Sequence, residues 1–191
     1  MDFNALCLGC RTYRRFERKE IPEEILTELL ENARVANSVM NGQVLRYVLV
    51  KSQETVKKLQ PYFHFAAALP KELGQPKEGE QPTAFIILCT EGRESPWTDM
   101  DIGIAVRTMN LNAYNHGIGS CIIGNVEFKK VKEILSIPET WIPRLALALG
   151  YPSHKSTIVE LPEDGSVKYY LDEERQYYVP KRKRKDISII R

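Results

Sequence analysis

The amino-acid sequence predicts a domain that mixes helices with strands, and three stretches predict it. From Trp97 to His116 apolar residues recur at helical spacing, with Ile102, Ala105, Val106, Met109 and Ala113 forming one buried stripe. Ala84-Phe85-Ile86-Ile87-Leu88-Cys89-Thr90 is a continuous apolar run of strand length, the pattern of a central strand covered on both faces. Leu145 to Leu149 is another apolar strand, closed by Gly150-Tyr151-Pro152. A chain of 191 residues with 43% hydrophobic content can build a real core, and residues 1–191 are read as one domain.

The remaining elements follow in order. Asp2 to Leu8 reads as a short helix ended by Gly9. Ile21-Pro22-Glu23-Glu24 opens a second helix, because proline suits the first helical position and acids suit its positive end. Ile25, Leu26, Leu29, Leu30 and Ala33 give it one buried face. A polar bend over 37–43 leads into a strand from Leu45 to Val50. Ser52 caps a helix over Gln53 to Gln60 that Pro61 ends; Phe63 to Ala68 is a short apolar piece, and Gly74 to Pro82 is a loop. Gly117 stands where a helix C-cap belongs, ahead of a glycine-bounded strand, Gly117 to Asn125, whose end lets the backbone approach a flat partner. Phe128 to Leu135 is a helix broken by Pro138. Residues 153–191 turn charged and aromatic and carry too little apolar content to fold alone. Their alternating Val and Ile residues suit an added edge strand, on this copy or on a second subunit.

Composition excludes several classes of function. Basic and acidic residues number 27 and 25, a net +2, so the molecule as a whole is not built for nucleic acid or an anionic membrane. The N-terminus lacks the basic and apolar regions of a secretory signal, and no stretch reaches the roughly 18 apolar residues of a membrane span. A cytoplasmic protein is expected. Cys7 and Cys10 have C-x-x-C spacing, yet no second pair follows and His64, His116 and His154 are scattered, so no metal site is read. Cys89 and Cys121 lie in apolar runs and read as small core residues.

The local chemistry is concentrated in a few places. Arg11-Thr12-Tyr13-Arg14-Arg15-Phe16 sets three guanidiniums and a hydroxyl in five residues. Such a run is either a solvated basic face or half of a phosphate clamp, since guanidinium forks give bidentate charge-assisted hydrogen bonds. A second basic stretch, Lys181 to Lys185, lies near the far end of the chain. Between them, Asn37-Ser38-Val39-Met40-Asn41-Gly42-Gln43 is open to two readings. It is simple turn chemistry, or amides matched to the alternating carbonyl and N–H edge of a flavin's pyrimidine ring. A nucleic-acid-binding module using Lys181 to Lys185 is the remote alternative, with no recognition helix to serve it.

In this order the motifs resemble the FMN-dependent nitroreductase family across nearly the whole chain. Arg11 to Phe16 resembles the family's Arg-Ser-x-Arg-x-Phe phosphate motif, with threonine in the serine's place. Ala36 to Tyr47 resembles its Ala-Pro-Ser-x-x-Asn-x-Gln-Pro segment, and the helix around Asp101 with Gly117 to Gly124 its central helix and flavin-facing loop. Ala148 to Pro152 is similar to its Leu-Gly-Tyr-Pro turn, and Tyr178-Val179-Pro180-Lys181-Arg182 to a Val-Pro-Lys-Arg ending. Two departures are visible: Cys10 stands where many members carry a second arginine, and Asn37 and Val44 replace two prolines.

The resemblance implies an α+β fold, nitroreductase-like, with a central, mainly antiparallel sheet flanked by helices and a C-terminal tail exchanged across a homodimer. It implies FMN at the subunit interface. Arg11, Thr12, Arg14, Lys181 and Arg182 would hold the phosphate, Arg15 being left open because alternate residues can point away, and Ser38, Asn41 and Gln43 would serve the ribityl and pyrimidine portions. Ile123 and Gly124 would lie against the ring, a backbone N–H there stabilising negative charge, and no catalytic side chain is implied because the flavin carries the chemistry. The implied reaction passes hydride from NAD(P)H through FMN to a small flat acceptor such as a nitroaromatic or quinone. Members with other flavin chemistry, or a flavin store without turnover, are the alternative.

Overall fold

The computed structural model describes residues 2–92 and 95–191. Its helices are α1 (Phe3–Gly9), α2 (Glu23–Val35), α3 (Gln53–Leu59), the single turn α4 (Lys71–Gly74), α5 (Thr98–Asn115) and α6 (Phe128–Ile134). Its strands are β1 (Leu45–Val50), β2 (Ala84–Glu91), β3 (Gly119–Ile123), β4 (Trp141–Gly150), β5 (Ser156–Glu160), β6 (Tyr170–Leu171) and β7 (Tyr177–Lys181).

The run at Ala84 is the structural centre. β2 pairs antiparallel with β1 on one side and with β4 on the other, and β3 closes the sheet antiparallel to β4, in the order β1-β2-β4-β3. Alternate side chains of β2 point to opposite faces. Ile86 and Leu88 meet Leu26 and Leu29 of α2 and Met109 and Ala113 of α5 in one core, while Phe85, Ile87 and Cys89 meet Val56, Leu59, Phe63 and Val131 in the other. Phe85, Ile86, Ile87 and Leu88 are wholly buried, and burying a side chain of this size contributes about 1.5–3 kcal/mol each. The architecture is α+β, an antiparallel sheet with helices on both faces.

Local departures from the sequence expectation have physical causes. β4 begins four residues earlier than its apolar run and takes in Pro143. Leu88 pairs with Leu145 and Cys89 with Pro143, so Arg144 is the extra residue of a bulge, and a bulge is where a strand tolerates a residue without an N–H. Pro22 caps α2 rather than opening it, and Pro61 sits within a 3-10 turn, Gln60–Tyr62, that continues α3.

The C-terminal region folds back on its own chain. β7 runs parallel to β5 and antiparallel to β6, making a second sheet of order β5-β7-β6. Its anchor is Tyr177, 1% exposed, with ring centroids of His154 and Tyr169 at 4.7 and 6.1 Å. Its strands pair within one chain, and beyond β7 Ile187, Ile189 and Ile190 are 69%, 83% and 84% exposed.

Two glycines let the N-terminal motif lie flat on this frame. A Cβ on Gly119 would come within 2.8 Å of Pro152 and the Tyr13 side chain, and one on Gly150 within 2.8 Å of the Phe16 side chain. Neither neighbour can yield, because Tyr13 and Phe16 are themselves buried. Gly119→Ala and Gly150→Ala are each expected to cost about 1–3 kcal/mol by overpacking. Urea denaturation checks this, and an unchanged midpoint for both would contradict the close approach.

Candidate functional site

Residues 11–16 run along the outer edge of the four-stranded sheet. Thr12 forms a parallel bridge with Ser120 of β3, the Tyr13 N–H donates to the Ser120 carbonyl at 2.9 Å, and Phe16 bridges Pro152. Extended backbone alternates its side chains. Tyr13 and Arg15 therefore turn inward, 6% and 5% exposed, while Thr12 and Arg14 face a cleft of ≈ 420 Å³; Arg11, which precedes the bridge, lines the same cleft. Lys181 at the end of β7 and Arg107 of α5 line the same cleft, with Asn110, Ser120, Ile122 and Tyr169 in its walls.

Each cation is held in its own way. Arg11 Nη2 donates to the Cys7 carbonyl at 2.6 Å, at the end of α1. The Arg14 guanidinium lies 4.5 Å from the Tyr169 ring and 4.9 Å from the Tyr177 ring, a cation–π cradle that holds it without neutralising it. Arg107 Nη1 donates to Cys10 Sγ at 3.3 Å. Among the described residues no carboxylate lines the cleft, and none of Arg11, Arg14, Arg107 and Lys181 has an ion-pair partner. The Nε atoms of Arg11 and Arg14 are buried and lack a hydrogen-bond partner. Converging like charges with unspent donors suit an anion, because charge-assisted hydrogen bonds donated to a phosphate relieve both costs.

Arg15 points elsewhere. It donates to the Arg175 carbonyl, and Arg175 forms a bidentate pair with Glu80 at 2.7 and 3.1 Å. Arg182 lies just beyond β7, exposed and outside the cleft lining. Lys183 pairs with Glu160 at 3.3 Å.

The amide loop forms a separate site. Ser38 and Gln43 line a second cavity of ≈ 450 Å³ with Tyr47 and Asp101, and it shares no residue with the basic cleft. Asn41 is exposed at the loop tip. Met40, Asn41 and Gln43 all have positive φ, at 55°, 54° and 48°, a region that costs energy outside glycine and persists where surrounding contacts enforce it. Those contacts are visible: Ser38 Oγ accepts from the Gln43 N–H at 3.3 Å, and Asp101 Oδ1 accepts from the Val39 N–H at 2.8 Å. Asp101 is 4% exposed, so α5 holds the loop through a buried carboxylate.

At the end of β3 the two isoleucines face opposite ways. Ile123 pairs with Ala146 and turns its side chain into the core, 3% exposed, whereas Ile122 is 46% exposed and enters the cleft wall. Only the backbone of Ile123 and Gly124 is left to face a ligand there. Sequence reasoning missed Arg107 altogether. A charge between apolar positions of a long helix reads as a solvated face, and only the packing of α5 against residues 10–12 brings it to the cleft.

His154 ties the motif to the tail. Its Nε2 accepts from the Arg14 N–H at 3.0 Å and its Nδ1 lies 2.9 Å from the Lys155 carbonyl, so the ring is neutral with the proton on Nδ1. Burial pushes it down to about 4; the Lys155 carbonyl works against that shift, and Arg15 and Arg14 add to it. Cys10 is also kept in its neutral form: burial raises the thiol, with Arg107 opposing.

Comparison with known proteins follows from this geometry. The Nitroreductase family model matches residues 9–151. An NADH dehydrogenase of Thermus thermophilus is 27% identical over 81% of this chain and 89% of its own length. An FMN reductase (NADPH) of Bacillus subtilis is 26% identical over 78% of this chain and 65% of its own length. Among solved structures, a nitroreductase family protein of Streptococcus pneumoniae TIGR4 superposes with TM-score 0.68 at 19% identity, covering 87% of this chain and 99% of that one. An FMN-dependent nitroreductase of Clostridium difficile R20291 gives 0.66 at 18%, covering 81% and 90%.

The histidine has a measurable signature. A His with a folded pKa of about 4 against an ordinary 6.5 contributes stability that is fully present above pH 6.5 and lost as pH falls toward 4, because the unfolded chain takes up the proton first. The loss is on the order of 3 kcal/mol. Unfolding free energy measured across this window should fall for the wild type and fall less for His154→Gln. Equal slopes would remove His154 as the cause.

Proposed function

The chain belongs to the nitroreductase family, and from that premise we propose that it is an FMN-dependent oxidoreductase. It takes hydride from NADH or NADPH and delivers it to a small flat acceptor of the nitroaromatic or quinone class. The observation that carries this reading is the cleft, where Arg11, Arg14, Arg107 and Lys181 meet without a carboxylate and Thr12 adds a hydroxyl. The donor set and the unpartnered Nε atoms fit a phosphate monoester. Similarity to proteins described as FMN reductase and NADH dehydrogenase supports the choice of FMN and of a nicotinamide donor.

Residues 1–191 are taken as one FMN-binding domain. Arg11, Thr12, Arg14 and Lys181 hold the phosphate, and Arg182, next in sequence, closes on it from the rim. Bound FMN supplies the two-electron redox chemistry. The chain's part is to orient the ring against the backbone of Ile123 and Gly124 and to exclude water with Ile122. Ser38, Asn41 and Gln43 lie in or beside a different cavity, so they are assigned to the ring bound by a second copy. The functional unit is then a homodimer with two shared sites. The exposed isoleucines of 182–191 and Met40, 95% exposed, fit surfaces covered by that copy.

Purified protein incubated with FMN is expected to turn yellow and to bleach under argon on addition of NADH or NADPH. Protein that stays colourless would sink the reading. Bleaching without steady-state NAD(P)H oxidation by quinones or nitroaromatics would leave a flavin store instead. Arg11→Ala and Lys181→Ala should each weaken FMN binding about tenfold or more.

Sharing of the site makes a separate expectation. Mixing an Arg11→Ala/Lys181→Ala protomer with a Ser38→Ala/Gln43→Ala protomer should recover, in mixed dimers, one intact FMN site that neither parent has. No recovery on equilibration would place both halves in one chain.

A further inference from the structure

The cleft contains one more cation than the arginine motif and the tail supply, and its position is informative. Cys10 occupies the place of an arginine in many sequences of the family's pattern, and burial keeps its thiol uncharged, so position 10 itself offers no positive group. The space is used from the other side. Cys10 Sγ donates to the Asn110 carbonyl of α5 at 3.4 Å, and Arg107, one turn earlier on the same helix, reaches over it with Nη1 3.3 Å from the sulfur. A short side chain at position 10 therefore leaves room for a long one from α5.

We propose that Arg107 is a phosphate ligand of this protein, a guanidinium delivered from the central helix to the location vacated at Cys10. The assignment rests on the FMN reading above and deepens it. Arg107 lines the same cleft as Arg11, Arg14 and Lys181, and Cys10 is its one hydrogen-bond partner among the described residues. A guanidinium has five N–H donors, so one contact to a weak sulfur acceptor leaves the rest for an oxyanion. Arg107 is exposed and has no carboxylate to pair with, which separates it from Arg175, whose fork is spent on Glu80. A structural arginine would have such a partner. Arg107 instead spends its charge on whatever enters the cleft.

The position also couples the two halves of the molecule. Asp101 and Arg107 project from different sides of α5, the first gripping the 38–43 loop and the second entering the phosphate cleft. One rigid helix thus sets the position of the phosphate relative to the loop that a second copy reads.

The experiment compares FMN with riboflavin, which lacks the phosphate, by fluorescence titration of wild type, Arg107→Ala, and Arg107→Ala/Cys10→Arg. Arg107→Ala should weaken FMN binding by about tenfold to a hundredfold, leave riboflavin binding and the melting temperature unchanged, and be partly rescued by arginine at position 10. Equal losses for FMN and riboflavin, or no loss for FMN, would overturn the assignment. Where riboflavin is too weak to titrate, ionic strength decides. The salt dependence of FMN affinity becomes shallower in Arg107→Ala if a charge contact is gone, and an unchanged dependence rejects it. Wild-type protein that binds no FMN at all refutes the cofactor reading itself, an outcome seen before any substitution is made.

Discussion

The arrangement depends on the pairing of residues 12 and 13 with the edge of β3. A single backbone hydrogen bond from Tyr13 to Ser120, with the Thr12 bridge beside it, turns a flexible basic run into an extended segment of known parity. Once that parity is set, Tyr13 and Arg15 go in and Thr12 and Arg14 face the cleft, while Arg11, which precedes the pairing, reaches the cleft with its guanidinium held at the Cys7 carbonyl. The contact is possible only because Gly119 and Gly150 carry no Cβ where Tyr13 and Phe16 lie. The segment also covers an otherwise open sheet edge, so the feature that builds the site protects the fold as well.

Charge is placed with equal economy. Three guanidiniums and an ammonium converge in a space without carboxylates, an arrangement that destabilises the chain by itself and is relieved by an anion. The nearby acid, Glu80, is turned away and consumed by Arg175, with Arg15 packed behind it. Burial then sets the protonation of the neutral groups. His154 stays uncharged between two tyrosines and two arginines, which lets Nε2 accept the Arg14 N–H while Nδ1 serves the carbonyl of Lys155. The tail is thereby fastened to the motif through one imidazole and one buried tyrosine.

The separation between the basic cleft and the amide loop is the main constraint on how the protein can work. The two cavities share no lining residue and sit on different sides of α5. The positive-φ backbone at Met40, Asn41 and Gln43 on the loop side is held by Asp101, which accepts from the Val39 N–H.

Much of this was determined by the sequence alone. The helical period of 97–116, the apolar run at 84–90, the glycines bounding β3 and the crowded arginines of 11–15 are all signals contained within a few residues, and short-range sterics and hydrophobic periodicity act at that range. Tertiary structure alone decided which distant groups meet. It brought Arg107 to Cys10, turned Ile122 rather than Ile123 outward through the β3–β4 register, paired β7 within its own chain, and kept Ser38 and Gln43 out of the cleft. Those outcomes follow from pairing parity and helix packing across the whole chain, and no window of neighbouring residues encodes them.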